Sequence, residues 1–146
     1  YRPTGGVLVH TMADPGPAVS GSLLDHARSP KPAWDAVRTA FAPLIVVVDR
    51  LPGEPVPGDA LALDVHVVND RRRDLDGAEV TVRATWPGGG HTWRFWGDVG
   101  ADSVARVATV QLIVPDSPGT LTVEAALVDA EGVEVATNVD RATIGH

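Results

Sequence analysis

The sequence predicts a mainly β protein: an Ig-like antiparallel β-sandwich of about seven strands, preceded by a strand–loop–helix segment. Three observations carry that expectation. From Leu44 onward, apolar and polar residues alternate with a period of two, in runs divided by Pro- and Gly-rich turns at sandwich-like intervals. Before Pro43 the period over one short stretch is instead three to four. The chain has 146 residues, the length of one domain with an extension, and a chain of this size buries roughly 70% of its unfolded surface.

The elements follow in order. "GVLVHTM", residues 6–12, reads as a short buried strand, and a Pro/Gly-rich loop follows it. Ser29 is placed to cap a helix, Pro30 and Pro32 suit a first turn, and Trp34, Val37 and Phe41 then fall on one helical stripe until Pro43 stops it. "LIVVVDR" opens the strand series. In "ALALDVHVVND", Leu61, Leu63, Val65 and Val67 share one face, and Asp64 and His66 the other. "AEVTVRATW" alternates Val80, Val82, Ala84 and Trp86 against polar neighbours, and "PGGG" turns the chain into "HTWRFW". "VARVATVQLIV", "TLTVEAALVDA" and "GVEVATNVDRATI" complete the series.

Composition removes several function classes. A net charge of −7 and a pI near 5.0 argue against nucleic acid, which needs clustered Lys and Arg. The single basic run, Arg71-Arg72-Arg73, is flanked by Asp70, Asp74 and Asp76 and reads as a solvated turn. No cysteine is present, which excludes disulfides, thiolate catalysis and Cys-based zinc sites and leaves the compartment open. The longest apolar run, residues 44–48, is far short of the ~20 residues of a membrane helix, so no membrane partner is expected. Residues 1–4 lack the charged-then-apolar pattern of a signal peptide.

Residues 44–146 can form a sandwich unaided, whereas residues 1–43 cannot. A lone strand has no neighbour for its backbone N–H and C=O groups, and buried unpaired groups are costly. Something must complete that sheet.

Residues 3–50, "PTGGVLVHTMADPGPAVSGSLLDHARSPKPAWDAVRTAFAPLIVVVDR", resemble the last strand and helix of the catalytic barrel in family 2 glycoside hydrolases, nearest the β-mannosidase-like branch. "PTGG" looks like the approach to the eighth barrel strand, "DP.PA.S.S.LD" like the loop beyond it, and "PK.A..A.R.AFAP" like the eighth helix. "LDVHVVND" and "GDV.ADSV" resemble parts of the following sandwich. The resemblance implies that residues 1–43 are a remnant of a (β/α)8 barrel and residues 44–146 an Ig-like domain. It also implies that the partner is an upstream catalytic barrel of the same polypeptide.

Retaining glycosidases use two carboxylates about 5–5.5 Å apart. The resemblance puts both on the fourth and seventh barrel strands, upstream of Tyr1. No catalytic residue is therefore expected here, and the chain alone is not expected to be an enzyme. Where the family pattern has Trp, Asn and Trp, this chain has His10, Ala13 and Gly21, while Asp14 is retained. His10 and Asp14 are the substrate-facing candidates, since the carboxyl end of a barrel strand faces the active site. For Asp14 the other reading is a loop cap.

Other constellations are weaker. The five histidines show no metal-ligand spacing, so neither a metal nor another cofactor is expected. Ser20, Asp25 and His26 could be drawn as a triad, but closeness in sequence does not supply triad geometry, and no G-x-S-x-G elbow occurs. Among Trp86, Trp93, Phe95 and Trp96, strand alternation puts Trp93 and Phe95 with His91, and Trp96 with Arg94. Trp93 and Trp96 are thus candidates for stacking a carbohydrate or for meeting a neighbouring domain. Three roles stand: structural support of a glycosidase barrel, carbohydrate binding through Trp93 or Trp96, and self-association as a homodimer through residues 7–12.

Overall fold

Period-two patterning after Pro43 becomes seven antiparallel strands in a computed structural model of the chain, which describes residues 8–145. They are β1 (Leu44–Val48), β2 (Ala60–Asn69), β3 (Leu75–Trp86), β4 (Gly89–Val99), β5 (Ser103–Ile113), β6 (Gly119–Val128) and β7 (Glu134–Ile144). Two sheets form, one in the order β1-β2-β5 and the other β4-β3-β6-β7. The fourth strand thus joins the third, sixth and seventh, unlike the constant-type immunoglobulin arrangement, where it lies with the first, second and fifth.

Val-rich strands suit a pleated, half-buried surface, and the alternation lands as expected. Leu63, Val65 and Val67 of β2 are buried, as are Val80, Val82 and Ala84 of β3 and Leu121, Val123, Ala125 and Leu127 of β6. Together with Val110, Leu112 and Ile144 these make one core between the sheets. Each fully buried Val, Leu or Ile contributes about 1.5–3 kcal/mol relative to exposure. Leu61 and Trp86 pack against this core only partly buried.

Polar side chains finish what the core begins. Along one seam, Val48 N–H donates to Asn138 Oδ1 at 3.3 Å and Leu51 N–H to Asp140 Oδ2 at 2.8 Å, which ties the β1 segment to β7 across the two sheets. At one end Asn69, fully buried, donates from Nδ2 to the carbonyls of Arg73 (3.0 Å), Val99 (3.3 Å) and Gly100 (3.0 Å). Its Oδ1 accepts from Arg71 N–H at 3.2 Å. Asp74 Oδ1 accepts from Ala101 N–H at 2.7 Å, so the arginine turn is solvated yet pinned to the β4–β5 loop.

The β3–β4 turn is Pro87-Gly88, with Gly88 at φ 84°, the left-handed position that a Pro-Gly order supplies in a type II turn. Pro87 is held in place from two sides. Ser117 Oγ donates to its carbonyl at 2.6 Å, and Gly119, at φ +135°, approaches so closely that a Cβ there would lie 2.7 Å from Pro87 Cγ.

The chain divides into two compact units, Tyr1–Ala42 and Pro43–His146. In the first, one helix is present among the described residues, α1 (Ala33–Ala40). Two expectations are corrected there. Ser29 does not cap α1: the N-cap is Pro32, already helical at φ −53° and making no side-chain cap. Ser29 is instead drawn into a turn, its N–H donating to Asp25 Oδ1 at 2.8 Å. Nor do residues 8–12 form a strand; positions 6 and 7 lie outside the described residues. The nearest pairing is an isolated parallel bridge, Ala13 to Leu24, and Leu8 is 89% exposed. With no ladder beside it in this unit, the segment has nothing to hydrogen-bond as a strand. The stripe on α1 is real in sequence but not buried: Trp34 and Val37 are half-buried and Phe41 exposed.

Candidate functional site

Two places gather chemistry-bearing side chains, one in each unit. The first is built on the loop from Ala13 to Lys31. Asp14 N–H donates to Leu24 O (3.0 Å) and Leu24 N–H to Met12 O (2.8 Å), which brings residue 14 against the Ser20–Leu24 segment. Lys31 N–H donates to Leu23 O at 2.9 Å and returns the chain to the same point.

The side chains then converge on Asp14, whose carboxylate is almost wholly buried. Lys31 Nζ lies 2.7 Å from Oδ2, Ser22 Oγ lies 2.7 Å from Oδ1, and the Ser20 hydroxyl also donates to Oδ1. Lys31 further donates to Ser22 Oγ at 2.8 Å and to Ser20 O at 3.2 Å. Charge-assisted hydrogen bonds of this kind favour the ionised carboxyl. The Lys31 hydrogen bond, then those of Ser20 and Ser22, hold Asp14 well below the ordinary carboxylate range against the opposing effect of burial.

A serine at hydrogen-bond distance from a lysine is the geometry of an activated nucleophile when the lysine is neutral. Here Lys31 is taken up as a donor, to the Asp14 carboxylate, to Ser22 Oγ and to Ser20 O. The cluster cross-links residues 14, 20–22 and 31, and both carboxylate oxygens are engaged within the loop. Lys31, the only lysine in the sequence, was not a site expectation. Seventeen residues from Asp14 in sequence, it makes no local pattern with it.

His10 is exposed and its Nδ1 lies 2.9 Å from Thr11 Oγ1. The structure does not assemble Ser20, His26 and Asp25: the Ser20 hydroxyl goes to Asp14, and Asp25 Oδ1 accepts from Ser29 N–H. Among the described residues, no group of three or more His, Asp or Glu side chains is placed to hold a metal ion.

The second place is β4. Its ladder with β3 pairs His91, Trp93 and Phe95 with Ala84, Val82 and Val80, so these three share the core-facing side. Arg94 and Trp96 pair with Thr81 and Glu79 on the outer side. Trp93 is half-buried, its ring edge-on to His91 with centroids 4.4 Å apart. Trp93 and Trp96 therefore project from opposite faces and share no platform. Trp96 donates its indole N–H to Glu79 Oε2 at 3.1 Å; Glu79 Oε1 accepts from Thr81 Oγ1 at 3.0 Å and lies 3.6 Å from Arg94 Nε. Between β4 and β5 a groove of about 170 Å³ opens, with Phe95, Trp96, Asp98, Arg106 and Val107 among its lining residues. On the outer face of the other sheet, Asp64 accepts from Thr109 Oγ1 at 2.5 Å and Arg106 at 3.2 Å, and these bonds hold its carboxyl below the usual range.

No protein-family model matches the chain, and no curated protein matches it. Solved structures do. An exo-chitosanase of Amycolatopsis orientalis, in complex with PNP-β-D-glucosamine, is similar with a TM-score of 0.72 and 21% identity, over 92% of this chain and 15% of that one. Spo0M, the sporulation control protein of Bacillus subtilis, is similar with a TM-score of 0.51 and 14% identity, over 73% of this chain and 51% of that one. The chain thus spans about 15% of the length of the exo-chitosanase chain and about half that of Spo0M. At these identities the likeness shows the fold: a mainly β chain with two antiparallel sheets in an Ig-like sandwich.

Proposed function

We propose that this chain is the non-catalytic C-terminal part of a glycoside hydrolase of family 2, β-mannosidase-like, whose catalytic barrel lies upstream. In this reading residues 1–43 are the last strand and helix of that barrel, and residues 44–146 form the sandwich that supports it. One observation carries it. The likeness to the exo-chitosanase covers 92% of this chain, more than the unit Pro43–His146 alone can supply, so it takes in much of the preceding unit as well. A match of that extent to a small part of a much longer exo-chitosanase chain supports reading the two units as consecutive parts of one larger enzyme.

The chemistry agrees. The Asp14 carboxylate is spent on Lys31, Ser20 and Ser22, and hydrolysis needs two carboxylates facing one bond. The half-exposed stripe of α1 is the face a barrel helix turns toward its neighbours.

The test is an assay of the 146-residue chain, and of the polypeptide from its whole reading frame, on nitrophenyl β-mannoside and β-glucosaminide. The longer polypeptide is expected to hydrolyse one of them and the 146-residue chain neither. Turnover by the shorter chain, or a reading frame with no barrel ahead of it, would overturn the reading. Light scattering addresses the other expected partner, a second copy joined through residues 7–12, as a mass that rises with concentration.

A further inference from the structure

Trp96 is held but not covered. Its indole N–H is fixed by Glu79 at 3.1 Å, yet the residue is 67% exposed. Beside the ring stand a carboxylate with unused lone pairs and the guanidinium of Arg94, itself largely exposed. An apolar ring face flanked by strong acceptors and donors is complementary to an amphipathic ligand, flat and apolar on one side and rich in hydroxyls at its edge. A pyranose has that shape. An aliphatic side chain would use the ring and leave the charged pair idle, and a nucleotide would bring phosphate to a chain of net charge −7.

The groove between β4 and β5 adjoins this ring, Trp96 being among its lining residues. The seam between β1 and β7 is stitched by Asn138 and Asp140, whereas the β4–β5 seam is open, its lining running from the exposed Trp96, Asp98 and Arg106 to Phe95 and the buried Val67 and Val80 on the core side. Its volume of about 170 Å³ falls below the roughly 300–1,000 Å³ of drug-sized pockets, which suits one ring or one ring substituent. A larger hollow, about 490 Å³, is lined by residues 53–57, Thr143 and Gly145 and offers no aromatic ring.

We propose that Trp96, with Glu79 and Arg94, is a stacking platform for one pyranose ring of an oligosaccharide, the adjoining groove receiving a substituent of that ring. Trp93, on the opposite face of β4, takes no part. The accessory role proposed above requires no sugar contact from the sandwich, so failure of this proposal leaves that reading standing.

The experiment titrates the 146-residue chain with mannohexaose, cellohexaose and glucosamine hexamer, by calorimetry and by the indole N–H resonance of Trp96. At least one hexamer is expected to bind with a Kd on the order of 1 mM, as a single stacked ring allows, and to move that resonance. Trp96→Ala should weaken binding at least about tenfold, a loss of roughly 1.4 kcal/mol, with an unchanged melting temperature. Arg94→Ala should weaken it several-fold. Trp96→Phe keeps a ring and should bind within a few-fold, which preserves the test should the alanine variant be unstable. No binding by any of the three at about 10 mM, or binding that survives Trp96→Ala, overturns the proposal.

Discussion

Replacing Asn69 by Ala should be among the most damaging single polar substitutions in the sandwich. The side chain is fully buried, and its amide serves the carbonyls of Arg73, Val99 and Gly100 while its Oδ1 holds Arg71 N–H. Alanine supplies none of these bonds. Each intramolecular hydrogen bond contributes about 1 kcal/mol net, and a buried group left unpaired costs about 1–3 kcal/mol. The amide has two protons, so two donated bonds and one accepted bond are lost at once. Water reaches the exposed arginine turn more easily than the buried Val99, so about 3 kcal/mol in total is a fair expectation. For a domain of about 100 residues this lowers the melting temperature by roughly 12–24 °C. The assay is urea unfolding followed by tryptophan fluorescence, with the slope required to stay constant so that the change is one of stability. A loss below about 1 kcal/mol at unchanged slope would refute the argument, because it would mean that the four contacts do not hold the two loops together. Asn69→Asp sharpens the comparison. It keeps the acceptor for Arg71 but loses both donors and adds a buried charge, and should do no better than alanine.

Four further outcomes are expected. Lys31→Met leaves the buried Asp14 carboxylate without its cation, so its titration should move up toward the ordinary range, and the Asp14 and Leu24 amides should exchange faster with deuterium at neutral pH; unchanged exchange would show that the pair does not order the loop. In the native chain the depressed Asp14 value means that its stabilisation is present above its unfolded pKa of about 3.9 and is lost as pH falls from there through the lower folded value, so the protection of the loop amides relative to their intrinsic exchange should hold at pH 4 and fall below it. Gly119→Ala forces a positive φ on alanine and drives its Cβ to 2.7 Å from Pro87 Cγ, which should cost more than about 1 kcal/mol in chemical denaturation. Leu121→Ala empties a fully buried core position and should cost about 2–5 kcal/mol by the same assay.

Much of the sandwich was legible in advance because strand patterning is local. Val80, Val82 and Ala84 alternate with Glu79, Thr81 and Arg83, and the pleat turns that alternation into an inside and an outside wherever the strand goes. The same rule put Trp93 and Trp96 on opposite faces of β4. It was less use before Pro43. There the apolar run suggested a strand, but a strand exists only with a neighbour, and residues 8–12 have no ladder. Ser29 looked like a cap because capping residues are recognised by type, while the N-cap of α1 is Pro32, whose ring already fixes a helical φ.

By itself, then, the sequence determined the seven strands, the face each presents to the core, the acidic balance and the place where one kind of patterning gives way to another. Tertiary structure alone decided that the β3–β4 hairpin shares its sheet with β6 and β7, that Asn69 clamps two loops, that Lys31 closes on Asp14 and that Trp96 stays in the open. The reason is physical. Periodicity reports the geometry of a residue's immediate neighbours along the chain, whereas a hydrogen bond between positions 14 and 31, or 69 and 99, depends on distances set only when the intervening chain has folded.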